Sequence, residues 1–138
     1  YGRIVSFTGR ATQEDILPKY LHGRTTDLFQ KKNVVWNLHR VRKMIAEQNR
    51  VVVCEGQFDA IALTKAGLPG VSILGSDISE EQLKLLSKLT SNIYIVFDND
   101  PAGEAGLLKT FKMVTELNLD CILYSVVLEG KDPDEFIK

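Results

Sequence analysis

The sequence predicts an α/β fold: a mainly parallel sheet flanked by helices, preceded by a smaller basic segment with β and irregular structure. Three observations carry this. From residue 51 onward, short apolar runs alternate with helical patterns, which is the order of βαβ units. Those runs, Val51-Val52-Val53-Cys54 and Ile93-Tyr94-Ile95-Val96-Phe97 above all, are continuously apolar, as strands buried on both faces must be. The charge is also divided. Residues 1–50 hold ten Lys/Arg against four Asp/Glu, and residues 51–138 hold seven against fourteen.

In order along the chain, residues 1–7 alternate as a strand with no leading Met, so an excised fragment is expected. Thr8-Gly9-Arg10 reads as a turn and residues 11–36 as irregular. Leu38, Val41 and Ile45 stand at helical spacing with Arg40, Arg42 and Lys43 largely off that face, predicting a helix to about Asn49. Strand 51–54 leads to a helix over 57–66, stopped by Gly67 and Pro69. Strand 70–74 leads through Gly75-Ser76-Asp77 to a helix ending near 89. Ser79 and Gln82 open that helix as a capping box. Strand 93–97 leads to a helix over 101–117, then strand 121–127 and a short final helix. The expected domains are a basic linking segment, 1–50, and a regular α/β domain, 51–138.

No apolar run approaches the ~20 residues of a membrane span. No secretory pattern opens the chain, so no membrane partner and a cytoplasmic location are expected. Cys54 and Cys121 are far apart in apolar runs, which suits buried thiols and gives neither a disulfide framework nor a zinc site. His22 and His39 are too few and too separated for a metal site or a triad.

Two strands end abruptly in acid. The first runs into Glu55-Gly56-Gln57-Phe58-Asp59 and the later one into Asp98-Asn99-Asp100-Pro101. Ligands of open α/β sheets bind at the carboxyl ends of the strands. Packed there, the acids would repel by about 4 kcal/mol per pair at ~4 Å and an effective dielectric of ~20. A hard divalent cation removes that cost. Asp59 also suits the positive end of a helix, and Asp100 before Pro101 is a natural N-cap. An extended Asp-x-Asp puts Asp98 and Asp100 on the same side. Asp132-Pro133-Asp134-Glu135 reads as an ordinary helix start that the preceding strand delivers to the same sheet edge. The basic residues, Arg10, Lys19, Arg24, Lys31 and Lys32 among them, suit nucleotide or single-strand phosphates.

Glu55-Gly56 and Asp98-x-Asp100, in that order at strand ends, resemble the Toprim domain across about residues 50–138. With Leu74-Gly75-Ser76, Ala102-Gly103 and Asp132-Pro133-Asp134 the resemblance narrows to bacterial DnaG-type primases. Gly9-Arg10, Pro18-Lys19-Tyr20-Leu21 and Thr26-Asp27-x-Phe29-x-Lys31 extend it to the part of the primase RNA polymerase core that leads into Toprim. It implies a DNA-directed RNA polymerase making short primers on a single-stranded DNA template from NTPs. It implies Glu55, Asp98 and Asp100 as the main catalytic and metal-site acids, with Asp59, Asp132 and Asp134 completing the cluster. It implies Arg10, Lys19 and Lys31 as contacts to NTP phosphates. His22 stands where primases often carry Asn. The implied cofactor is Mg²⁺, with Mn²⁺ as a substitute and no zinc in this fragment. The replicative helicase is an implied partner through regions not in this chain, and weak or no activity is expected of the fragment alone. The alternatives are another Toprim enzyme, such as a metal-dependent nuclease or topoisomerase-like protein, and a binding module whose acids are helix caps.

Overall fold

A computed structural model describes residues 4–13, 17, 18, 20–128 and 133–137. The basic segment opens with a two-stranded antiparallel sheet, β1 (Thr8–Arg10) and β2 (Tyr20–His22), in register Gly9 to Leu21. The turn expected at 8–10 is therefore a strand, because pairing with a distant segment outweighs the local turn preference of Gly9. The strand expected to its N-terminal side is absent over Ile4–Phe7. Alternation there lacks a surface to bury against: Ile4 and Phe7 are 77% and 79% exposed. A 3-10 turn (Lys31–Asn33) and helix α1 (Leu38–Gln48) complete the segment.

The rest follows the predicted alternation: β3 (Val51–Cys54), α2 (Gln57–Lys65), β4 (Gly70–Ser72), α3 (Glu80–Ser87), β5 (Asn92–Val96), α4 (Pro101–Glu116), β6 (Ile122–Ser125) and α5 (Pro133–Ile137). The last four strands form one parallel sheet in the spatial order β4-β3-β5-β6. The chain leaves β3 to one side for β4, then crosses to the other side for β5. That reversal opens a crevice at the carboxyl ends of β3 and β5, where ligands of such sheets bind.

Alternation along β3 fills both faces. Val51 and Val53 join Val41 and Ile45 of α1, Leu83 and Leu86 of α3, and Ile93 and Ile95 in one buried cluster. Val52 and Cys54 join Ala60 and Leu63 of α2 and Val96 in another. Cys54 is fully buried and Cys121 only half-buried. Two polar contacts fasten α1 to the sheet. Trp36 and Ser72 exchange backbone hydrogen bonds at 2.8 and 3.1 Å. The buried Asn37 amide donates to the Gly70 carbonyl at 2.9 Å and to Thr64 Oγ1 at 3.0 Å. Among the described residues, no helix is long and apolar enough to cross a membrane.

Candidate active site

Register sets the site. Cys54 pairs with Val96, so the chain turns out of β3 and β5 at nearly the same level. Glu55 follows directly, and Asp98 lies two residues past Val96. The Asp98 N–H donates to Glu55 Oε1 at 3.1 Å, binding the two strand ends together. The backbone of Glu55 is held from the β4 side. Its carbonyl accepts from Ser72 Oγ at 2.6 Å and from the Gly75 N–H at 3.2 Å. Ser72 Oγ also accepts the Leu74 N–H at 3.0 Å. Leu74 takes φ 63°, a left-handed conformation costing a branched residue about 1–3 kcal/mol. The strain sits where the chain peels off β4, which explains why that strand ends at Ser72 rather than at Leu74.

The Glu55 carboxyl is pushed up to about 7. Burial is the main cause, opposed by the Asp98 N–H and reinforced by the charges of Asp98, Asp100 and Asp59. Asp59 is buried in the first turn of α2, and its Oδ1 accepts the Asp134 N–H of α5 at 3.3 Å. Burial first, then Asp59, Asp98 and Glu55, also push the Cys54 thiol well above its ordinary range, which favours its protonated form.

Glu55, Asp59, Asp98 and Asp134 line a cleft of about 360 Å³. Asp100 does not line it. Asp100 borders a neighbouring cleft of about 560 Å³ with Glu104 and Ser125, and Asp98 lines both. The Asp100 N–H donates to the Asp98 carbonyl at 2.8 Å. A tight turn, not extended alternation, therefore relates the two acids. Asp100 Oδ1 accepts the Gly103 N–H at 2.8 Å as the N-cap of α4. Among the described residues, no group of three or more Asp, Glu, His or Cys side chains is arranged to hold one ion. The donor set nevertheless fits a hard cation that takes a few carboxylates and keeps waters. Asp132 and Lys19 lie outside the described residues.

Arg10 and His22 of the small sheet border the same cleft. The Arg10 guanidinium lies 5.2 Å from the Phe58 ring centroid and 5.7 Å from that of Tyr20, within cation–π range of both. Tyr20 stands in the Pro18-Lys19-Tyr20-Leu21 motif without a role of its own there, and Phe58 is unmarked by the sequence; only the fold brings both rings around Arg10. A Cβ on Gly75 would lie 3.2 Å from Lys31 Nζ, so that ammonium stands over the loop bordering the cleft. Burial, and then the Lys31 charge, lower the pKa of His22.

Gly103 is required by close approach. A Cβ there would run into the Asp98 carbonyl oxygen and come within 3.2 Å of Glu55 Oε1. Gly103→Ala is expected to cost about 1–3 kcal/mol in urea unfolding by overpacking. Unchanged stability in that variant would contradict this role for the glycine.

A family model described as Toprim-like matches residues 52–137, and one described as DNA primase catalytic core, N-terminal domain, matches residues 1–42. The DNA primase of Staphylococcus epidermidis is 40% identical over 139 residues, covering 99% of this chain and 23% of that protein. This chain thus spans under a quarter of that relative's length. Among solved structures, the Aquifex aeolicus primase (zinc binding and RNA polymerase domains) is 35% identical with a TM-score of 0.86, over 99% of this chain and 34% of that one. A DnaG primase catalytic domain bound to single-stranded DNA is 32% identical with a TM-score of 0.84, over 99% of this chain and 44% of that one. The chain belongs to the Toprim-like family and, within it, to the bacterial DnaG-type DNA primases.

Proposed function

We propose that this chain carries the nucleotidyl-transfer centre of a DNA primase, which joins NTPs into RNA primers on a single-stranded DNA template. The observation that supports it best is the meeting of Glu55 and Asp98 at the switch crevice with Arg10 and Lys31 of the basic segment beside it. Carboxylates alone would suit many cation sites. Carboxylates beside a guanidinium and an ammonium suit a triphosphate carrying its own cation.

In this reading Glu55, Asp98 and Asp100 are the principal metal-site acids, and Asp59, Asp132 and Asp134 complete the cluster. Mg²⁺, or Mn²⁺ in its place, supplies charge neutralisation for the triphosphate and a lower pKa for the attacking 3′-hydroxyl. Arg10 binds phosphate through its planar fork, held in orientation by Phe58 and Tyr20. Lys31 and Lys19 add point charges that draw the phosphates toward the acids. Glu55, holding a proton near neutrality, gives it up as the site becomes occupied. These phosphate contacts fix position and carry no base preference.

Residues 51–138 act as the Toprim domain and 1–50 as the basic linking segment. The protein works in the cytoplasm, and the replicative helicase engages it through other regions of the primase. In this reading these 138 residues take no zinc and are weak or inactive by themselves. A labelled single-stranded template with NTPs and Mg²⁺ tests the reading. NTP incorporation is expected once neighbouring segments of a primase core are supplied, with little from the 138 residues by themselves. Strand scission without incorporation would point instead to a Toprim nuclease.

A further inference from the structure

The capping box of α3 does more than start a helix. Ser79 Oγ accepts the Gln82 N–H at 3.1 Å, and Gln82 Oε1 accepts the Ser79 N–H at 2.9 Å. That occupies only part of each side chain. The Gln82 amide nitrogen donates to the Val34 carbonyl at 2.6 Å, with the carbonyls of Lys31 and Ile73 at 3.3 and 3.4 Å. The Ser79 hydroxyl donates to the Lys32 carbonyl. Three carbonyls of one short stretch, 31–34, thus hang on two side chains of α3, and Gln82 is only 1% exposed.

The cap alone does not require glutamine. Glu serves a capping box equally well and suits the positive helix end better. What Glu lacks is the amide donor that the 31–34 carbonyls use. That stretch pairs with no strand among the described residues; it forms only the 3-10 turn Lys31–Asn33, in which the Lys31 carbonyl also accepts the Val34 N–H at 3.1 Å, and it carries Lys31, whose ammonium stands over Gly75 at the cleft. A charge on a flexible stem is placed by its backbone anchor, and displacements of about 1 Å cost affinity and rate.

We propose that Ser79 and Gln82 are positioning residues whose clasp on the 31–34 carbonyls sets where Lys31 stands, and thereby the affinity for a nucleotide triphosphate. The inference rests on the reading of Lys31 as a phosphate contact. It adds a specific route by which the α/β domain fixes the basic segment.

A double-mutant cycle on ATP binding in the presence of Mg²⁺, measured by calorimetry on the full chain, tests it. Lys31→Ala is expected to weaken binding about tenfold, the loss of one charge-assisted contact. Gln82→Met and Ser79→Gly should each weaken it about threefold or more, and neither should add to the loss once Lys31 is Ala. Ser79→Gly keeps an acceptable N-cap, so it folds even where Met at 82 disturbs the core. Thermal melts separate lost fold from lost position. Wild-type affinity in both folded clasp variants, or losses that add in full to Lys31→Ala, would overturn the clasp while leaving the Lys31 contact intact. Wild-type affinity in Lys31→Ala would remove that contact, and the clasp's role with it.

Discussion

Asp98→Asn is expected to abolish divalent-cation binding by this chain and to lower NTP incorporation by about 10²–10³-fold or more in a primase core carrying it. Asp98 is singled out because it borders both acidic clefts, while its N–H holds Glu55 Oε1. The substitution keeps shape and backbone and removes one charge, so the Asp98 N–H contact survives and loss of fold is not the cause of failure. Asp100→Asn is the informative companion. Asn caps a helix as well as Asp does, so α4 keeps its start while the second cleft loses one of its carboxylates, beside Asp98 and Glu104. A milder loss is expected there, because the larger acidic grouping of Glu55, Asp59, Asp98 and Asp134 remains. Mn²⁺ titration by calorimetry is the direct reading. Wild-type Mn²⁺ affinity in Asp98→Asn would mean that the cation sits elsewhere.

The frame of this site is legible in the sequence because each part of it is a local signal. Val51–Cys54 and Ile93–Phe97 read as buried parallel strands without knowledge of their neighbours, and a residue directly after such a strand is placed at the sheet edge by that fact alone. Ser79 with Gln82, and Asp100 before Pro101, fix helix starts by chemistry within four residues, and both occur as expected. What is not legible depends on partners distant in sequence. Thr8–Arg10 reads as a turn until Tyr20–His22 lies beside it. Phe58 looks like an ordinary first-turn aromatic of α2 until Arg10 comes across its face. Gln82 announces a cap, but its grip on residues 31–34 spans about fifty positions. The separation of Asp100 from the cleft that Asp98 shares with Glu55 and Asp59 goes with one backbone hydrogen bond at the turn. Extended alternation cannot anticipate that bond.

The metal-free chain should lose stability as pH rises from about 4.5 to about 7, and Mg²⁺ should restore it only at the upper end. Glu55 carries the argument. Its carboxyl titrates near 7 in the fold against an ordinary value of 4.5, mainly through burial and then through the charges of Asp98, Asp100 and Asp59. Below about 4.5 it is protonated folded or unfolded, and the fold bears no penalty. Between the two values the unfolded chain releases the proton while the folded chain keeps it, so unfolding gains steadily; above about 7 the loss is complete. A shift of this size corresponds to about 3 kcal/mol. Glu55 is only half-buried, and solvent screening reduces the expected effect to about 1–2 kcal/mol. Mg²⁺ binds the ionised carboxylates and stabilises the fold by mass action, whereas at pH 5 protons hold the site against it. Thermal melts at pH 5 and pH 8, with and without Mg²⁺, read both effects. In Glu55→Gln the metal-free pH dependence across this window should flatten and the Mg²⁺ response at pH 8 should shrink. An equal Mg²⁺ response at both pH values would place the cation away from Glu55, since a site built on that carboxyl must compete with its proton.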